Sequence, residues 1–319
     1  MSWFSFSWQN FWFSYLALAF EGLPFVLVGA LVSGVIAAFV PSRTITRFLP
    51  KNHLLANLMS GLLGLIFPVC ECGIVPVVRR LLDKGLPFSC GVTYMLASPI
   101  VNPLVILSTY AAFRGQAPEW NTAIRLLSGY FVAVLVGLSV IKVNPARVLR
   151  TGSGRAALRR SVLSIASLPE AGPDNSSATF IQRLIAAIQL ASEDFIDTAI
   201  YFMIGAAVAA VFNTAVDQKV ILPLANNIFL STASMMGFSA ILTLCSTSDA
   251  FIAVTFVSFP IVARMAFLVF GPMFDLKLFF LYSVLFRKRF VVLLGVGLFV
   301  LVGIVSAVIL PQVYAFVRG

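Results

Sequence analysis

Charge is what this chain has least of, and histidine is nearly absent. Asp, Glu, Lys and Arg together make up 11% of the 319 residues, and His53 is the single histidine. Soluble domains carry about 25% charged residues. This shortage, beside 60% hydrophobic residues, excludes a water-soluble globular domain and places the chain in a lipid bilayer. One histidine excludes an imidazole-rich zinc site. Four cysteines, at least two of them within apolar runs, give no framework for a secreted disulfide fold, so the thiols are read as free. There is no GxxxxGK[ST] phosphate loop and no HExxH, which leaves an ATP-driven pump and the common metalloproteases without support. The first 40 residues lack a basic leader and a small-residue cleavage site, and the apolar run from Phe11 to Val40 is too long for a signal peptide, so it is expected to stay. The net charge of +10 sits in short connections between apolar runs, where Lys and Arg set topology. It gives no support for nucleic-acid binding.

What is present in abundance is long apolar sequence. About 20 such residues cross a bilayer core, and runs of that kind cover roughly 11–40, 54–78, 86–113, 122–142, 184–212, 224–260, 261–286 and 290–314. A polar stretch at 143–182 divides them. It holds Arg147, Arg150, Arg155, Arg159 and Arg160 and then "SLPEAGPDNSSA", and reads as a basic linker on the cytoplasmic side. Residues 1–142 and 183–319 resemble each other at an offset of 173 to 176 positions. Glu21 matches Asp197, Cys70 matches Cys245, Pro99 matches Pro272, and Asn102 matches Asp275.

The cations indicate how the two halves are related. Arg43, Arg47, Lys51, Arg79, Arg80 and Lys84 flank the block around Cys70, whereas its counterpart is flanked by Lys219, Arg264 and Asp217. Arg287, Lys288 and Arg289 reverse the bias further on. A reversed bias predicts an all-α polytopic membrane protein of two inverted-topology repeats. Because both flanks of the Cys70 block are basic, a simple crossing is disfavoured. Each repeat is expected to hold three spans plus a re-entrant or broken helical hairpin carrying the Cys motif, with the two hairpins meeting tip to tip and the N-terminus outside. Pro68, Gly73 and Pro76 are the expected breakers of the first hairpin. The plain alternative is eight simple spans.

"VCECG" is the segment with the clearest chemistry. Cys70 and Cys72 would diverge by about 200° on a regular helix, but on an interrupted segment they can face one soft ion or metalloid. Buried cysteine as a small hydrophobe is the bland alternative. Cys245 supplies a third thiol at the matched position, so Cys70, Cys72 and Cys245 are the candidate metal or metalloid ligands. Glu71 and Asp249 are carboxylates inside apolar runs, functional by default, with Ser246 and Ser248 as polar lining or as helix caps. Glu21, Glu71, Asp197, Asp249 and Asp275 are candidate proton or ion-coupling residues. "ASPIVNP" places Pro99 and Pro103 within a span beside Ser98 and Asn102, which predicts a kink exposing polar groups to the bundle. Pro272 does the same in the second half, where Asp275 and Lys277 are close enough to pair.

"FPVCECGIVPVVRRLLDKGLP", "LASPIVNPL" and "CSTSDAFIA" together resemble a family of bacterial predicted permeases that includes the methylarsenite-efflux (ArsP-type) proteins. The likeness runs from about Phe20 to Ala307. It implies a multi-pass permease of the bacterial cytoplasmic membrane, in some members exporting trivalent organoarsenicals, with site residues at Cys70, Cys72, Ser98, Pro99, Asn102 and Cys245 to Asp249. It also leaves room for zinc or another transition metal as cargo. The expectation is a secondary transporter rather than an enzyme, without a cofactor, moving a soft metalloid or metal across the bilayer. A membrane thiol oxidoreductase and a membrane subunit serving a soluble metal-handling partner are the rival readings, and homo-oligomerisation is left open.

Overall fold

The computed structural model describes residues 7–318 apart from 42–49, 51, 68, 151–179 and 216–226. Pro68 and most of the linker, with Arg155, Arg159 and Arg160, therefore lie outside the described residues. Within them the chain is helical, with one isolated antiparallel bridge between Leu149 and Phe286.

In chain order the helices are α1 (Trp8–Phe39), α2 (His53–Ile66), α3 (Ile74–Asp83), α4 (Phe88–Val101), α5 (Pro103–Ala112), α6 (Pro118–Ser139) and a single turn, α7 (Pro145–Val148). After the linker come α8 (Phe180–Ala215), α9 (Ile228–Leu242), α10 (Asp249–Thr255), α11 (Ile261–Met273), α12 (Leu276–Leu285), α13 (Lys288–Ile304) and α14 (Leu310–Arg318), the last two joined by a π turn at Val305–Ile309. Helix α8 begins inside the stretch read as linker. Six units are long and apolar enough to cross a membrane: α1, α4 with α5, α6, α8, α11 with α12, and α13 onward.

Eight apolar runs thus give six spans, because two of them break. Helices α2 and α3 have 14 and 10 residues, and α9 and α10 have 15 and 7. At 1.5 Å per residue none exceeds about 23 Å, short of a core about 30 Å thick. The α2–α3 segment folds back on itself. Asn57 of α2 bonds Ser89 and Thr93 near the start of α4, the tip reaches Val69 beside Ser98, and α3 returns so that Leu82 packs on Gly91.

The same series of elements recurs in each half: a long helix, a broken pair, a broken span and a closing span. Asn52 and Asn227 cap the first helix of each broken pair by accepting from Leu54 and Phe229 N–H. Asn102 and Asp275 cap the second part of each broken span, accepting from Leu104 and Leu278.

Of the prolines expected to break the spans, Pro103 stands at a break, whereas Pro99 and Pro272 do not. Pro99 and Pro272 sit inside α4 and α11. Pro103, at the first position of α5, holds Asn102 out of the helical region at ψ 127°. In the second half Phe274 and Asp275 are simply extended.

Helices α1 and α8 pack antiparallel along their length, Gly22 against Phe202, Gly34 against Ala187, and Phe39 against Phe180. Small residues permit such approach in lipid, where burial gives no drive for helices to associate. Gly29 of α1 lies against Gly73, and a Cβ there would collide with the Gly73 carbonyl oxygen. The first tip therefore rests on α1 backbone to backbone.

Candidate functional site

The two breaks are built alike. After α2 the chain turns at residues 71–73, with Gly73 N–H donating to the Cys70 carbonyl at 3.2 Å. After α9, Thr243 takes the left-handed region at φ 49°, and Ser248 N–H donates to the Cys245 carbonyl at 2.9 Å. A cysteine opens each turn and a new helix leaves it, α3 from Gly73 and α10 from Ser248.

Because residues 70–73 form a turn and not a helix, Cys70 and Cys72 are freed from the diverging directions a helix would impose. All four cysteines are free and buried. Glu71, between the two thiols, is 0% exposed. Its Oε2 accepts from Ser246 Oγ at 2.9 Å, so the first tip meets the second. Its Oε1 lies 3.7 Å from Lys277 Nζ and accepts no hydrogen bond. Lys277 is also 3.9 Å from Asp275 Oδ2, which is likewise unbonded. One ammonium thus stands between two carboxylates, bonded to neither.

A cavity of about 10 Å³ adjoins this group and is lined by Cys72, Cys245 and Lys277 together with Leu18, Glu21, Gly22 and Phe25 of α1. That volume is at the lower limit for one water. Glu21 is exposed and stands at the cavity's rim.

Asp249 has a different partner. Its Oδ2 accepts from Arg125 of α6 at 2.7 Å, and Arg125 donates further to Thr109 Oγ1 at 2.7 Å and to the Ser246 carbonyl at 3.2 Å. Arg125 is 2% exposed, so the pair is buried. A third charged group ties α3 to the long helices. Asp194 accepts from Arg80 Nε at 2.9 Å, from Arg80 Nη2 at 3.0 Å and from Ser33 at 2.7 Å.

Cys70, Glu71, Cys72, Cys245, Ser246 and Asp275 therefore gather at one centre, with Asp249 one turn away. Other expected residues are elsewhere. Ser98 donates to the Val69 carbonyl at 3.4 Å, touching the tip from behind. Asn102 is engaged in capping α5. Ser248 donates to the Cys245 carbonyl, so neither it nor Ser246 uses its hydroxyl as a cap. Asp197 has a side chain 55% exposed and pairs with Arg79 at 3.8 Å, away from the centre. Pro76 lies in the first turn of α3 and gives its carbonyl to Ser33. No three of Cys, His, Asp and Glu among the described residues stand ready to hold a metal ion, the three thiols included.

Sequence reasoning missed two residues. Arg125 is a cation well inside the fourth apolar run, unlike Lys142 at its end, which was itself a signal, since charge inside a span is functional by default. Asp194 belongs to the acidic cluster Glu193, Asp194 and Asp197, from which the sequence reading singled out Asp197, yet Asp194 is the acid that turns inward.

Six spans around a buried ionisable centre, with two broken helical segments meeting there, define a polytopic membrane protein of the transporter class. Comparison with known proteins agrees. The chain belongs to the predicted permease family ArsP_1, which matches residues 7–311, and permeases are transporters rather than enzymes. It is 37% identical over 290 residues to the UPF0718 protein YcgR of Bacillus subtilis, covering 88% of this chain and 90% of that one. It is 30% identical over 279 residues to a Streptococcus mutans protein named "Putative two-component membrane permease complex subunit", covering 87% of each. No solved structure matches the chain.

Proposed function

We propose that this protein is a secondary transporter for a soft, thiol-binding solute, and that Cys70, Cys72 and Cys245 bind it where the two tips meet. The observation that carries the reading is that the buried free thiols Cys72 and Cys245 line one small cavity with Lys277, which also stands beside Glu71, while Cys70 opens the turn that bears Cys72. A charged group in apolar surroundings costs several kcal/mol unless partnered. Here three such groups are held in loose contact, an arrangement suited to exchange more than to rigidity.

The resident ammonium favours a neutral cargo. A methylated arsenic(III) dihydroxide reacts with two thiols to give a dithiolate and two waters, so no net charge enters the site. A zinc dication would meet Lys277 directly and would find one histidine in the chain, at the start of α2. Trivalent organoarsenicals are therefore the favoured cargo and a transition metal the alternative. Glu71 and Asp275, flanking Lys277, are the proposed proton-coupling groups, with Glu21 at the rim.

The proposed mechanism is rocking of two inverted repeats about the tips. The antiparallel packing of α1 on α8 and the shared order of elements in each half support it. In this reading the broken pairs are re-entrant hairpins entering from opposite faces. The 143–182 linker is then cytoplasmic, in a bacterial inner membrane.

Uptake of methylarsenite and of zinc into everted vesicles, with and without a proton gradient, tests the proposal. Gradient-driven arsenical accumulation that Cys70→Ser with Cys72→Ser abolishes is the expected result. Movement of zinc alone would replace the cargo. A second reading, a subunit that works only with a partner, is favoured by the name of the Streptococcus relative. It predicts no movement of either solute by the chain alone, and pull-down of a partner dependent on residues 150–178.

A further inference from the structure

Away from the thiols, a groove of about 800 Å³ runs between the end of α6 and most of the length of α13. Its walls are apolar, with Leu135, Val140, Leu294, Gly297, Leu298 and Leu301 among them. Arg147, Arg287 and Arg289 also line it. All three are exposed, and their side chains form no ion pair or hydrogen bond among the described residues.

The arginines are held in register by backbone pairing. Arg287 N–H donates to the Val148 carbonyl at 2.9 Å and Arg150 N–H to the Leu285 carbonyl at 3.0 Å, which fixes the turn bearing Arg147 beside the start of α13. A second groove on the same helices offers an internal contrast. It lies between the first half of α6 and the π turn, has about 510 Å³, and is lined by Ile124, Phe131, Val305, Ile309 and other residues without one charge. Both grooves suit acyl chains, but only one joins its apolar walls to a cluster of cations.

We propose that the groove beside Arg147, Arg287 and Arg289 is a binding site for an anionic phospholipid. Its phosphate is held by the three guanidiniums and an acyl chain lies between α6 and α13. Guanidinium is the preferred partner of phosphate oxygens, and basic pockets between spans are suited to anionic headgroups. The chain's own linker is a poor occupant, because the part that continues from this point carries Arg155, Arg159 and Arg160, of the same sign, and its two acids, Glu170 and Asp174, come only beyond them. A soluble anion would use the arginines and leave the apolar walls without a role. The groove joins one helix of each half, so its occupant bridges them.

The test is native mass spectrometry of the full chain in a neutral detergent, titrated with phosphatidylglycerol or phosphatidylcholine, with inorganic phosphate as competitor. One phosphatidylglycerol should be retained, at least about 10-fold more tightly than phosphatidylcholine. Arg147→Gln with Arg287→Gln and Arg289→Gln should weaken it by roughly 10- to 100-fold, given the usual contribution of each cation. Gly297→Phe should also weaken it without altering charge, because a Cβ at Gly297 meets nothing within 4 Å and the ring can fill the groove. Arg114→Gln, at the turn between α5 and α6, should bind as the unaltered chain does. Equal binding of the two lipids, or full binding by both altered chains, would overturn the proposal. Displacement by inorganic phosphate would assign the arginines to a soluble anion and overturn it too.

Discussion

The two tips carry the same device in different states of tension. At each, a buried carboxylate draws its cation from the other half of the chain: Glu71 from Lys277 of α12, Asp249 from Arg125 of α6. The Arg125 pair is tight, at 2.7 Å, with further bonds to Thr109 and to the second tip's own backbone. The Lys277 group is slack, at 3.7 and 3.9 Å, and it is the one beside the thiols and the cavity. Tight pairing fixes where the second tip sits, while slack pairing leaves the first able to exchange partners. One tip is anchored and the other is available.

Removing the anchor should have the largest effect. Arg125→Met strands Asp249 in apolar surroundings and should cost about 3–5 kcal/mol, read as a fall in melting temperature in detergent, whereas Arg125→Met with Asp249→Leu should recover most of it. An equal response to Lys277→Met would erase the distinction between the tips. The expected cost of Lys277→Met is smaller, about 1–3 kcal/mol, and its signature is a shift in cargo, with zinc uptake rising relative to methylarsenite. Cys70→Ser and Cys72→Ser should cost under about 1 kcal/mol each, because Ser246, Glu71 and Lys277 offer polar surroundings for a hydroxyl, yet each should reduce arsenical transport. The smallest perturbation sharpens the geometry. A double-mutant cycle of Glu71→Gln and Ser246→Ala, read from melting temperatures in detergent, should show a coupling of about 0.5 kcal/mol or more. Strict additivity would separate the tips.

Much of this arrangement could be read from composition and spacing, and the rest could not for identifiable reasons. Low charge and long apolar runs are enough to specify a helical membrane protein. The position of Gly73 and the two cysteines marked where a run would break. Glu71 and Ser246 are 175 residues apart, within the offset relating the halves, and they hydrogen-bond. Partner choice was not legible. Nothing local in the fourth run says that Arg125 reaches across to α10, because that depends on how the halves pack. Asp194 and Asp197 illustrate a second limit. A helix facing lipid is apolar around most of its circumference, so periodicity gives little indication of which of two nearby acids turns inward. The breaks at Asn102 and Phe274 show a third, since Pro99 and Pro272 are accommodated within their helices and the chain turns two or three residues beyond them.

The bond between Glu71 and Ser246 also makes the two tips unequal partners. These residues hold corresponding places in the two series of elements, one an acid and the other an alcohol, so the junction has an acceptor on one side and a donor on the other. A junction built of two acids would press like charges together in apolar surroundings. The contact therefore has a polarity. Exchanging the two residues between the tips would carry the negative charge away from Lys277 and toward the tip that Arg125 already serves.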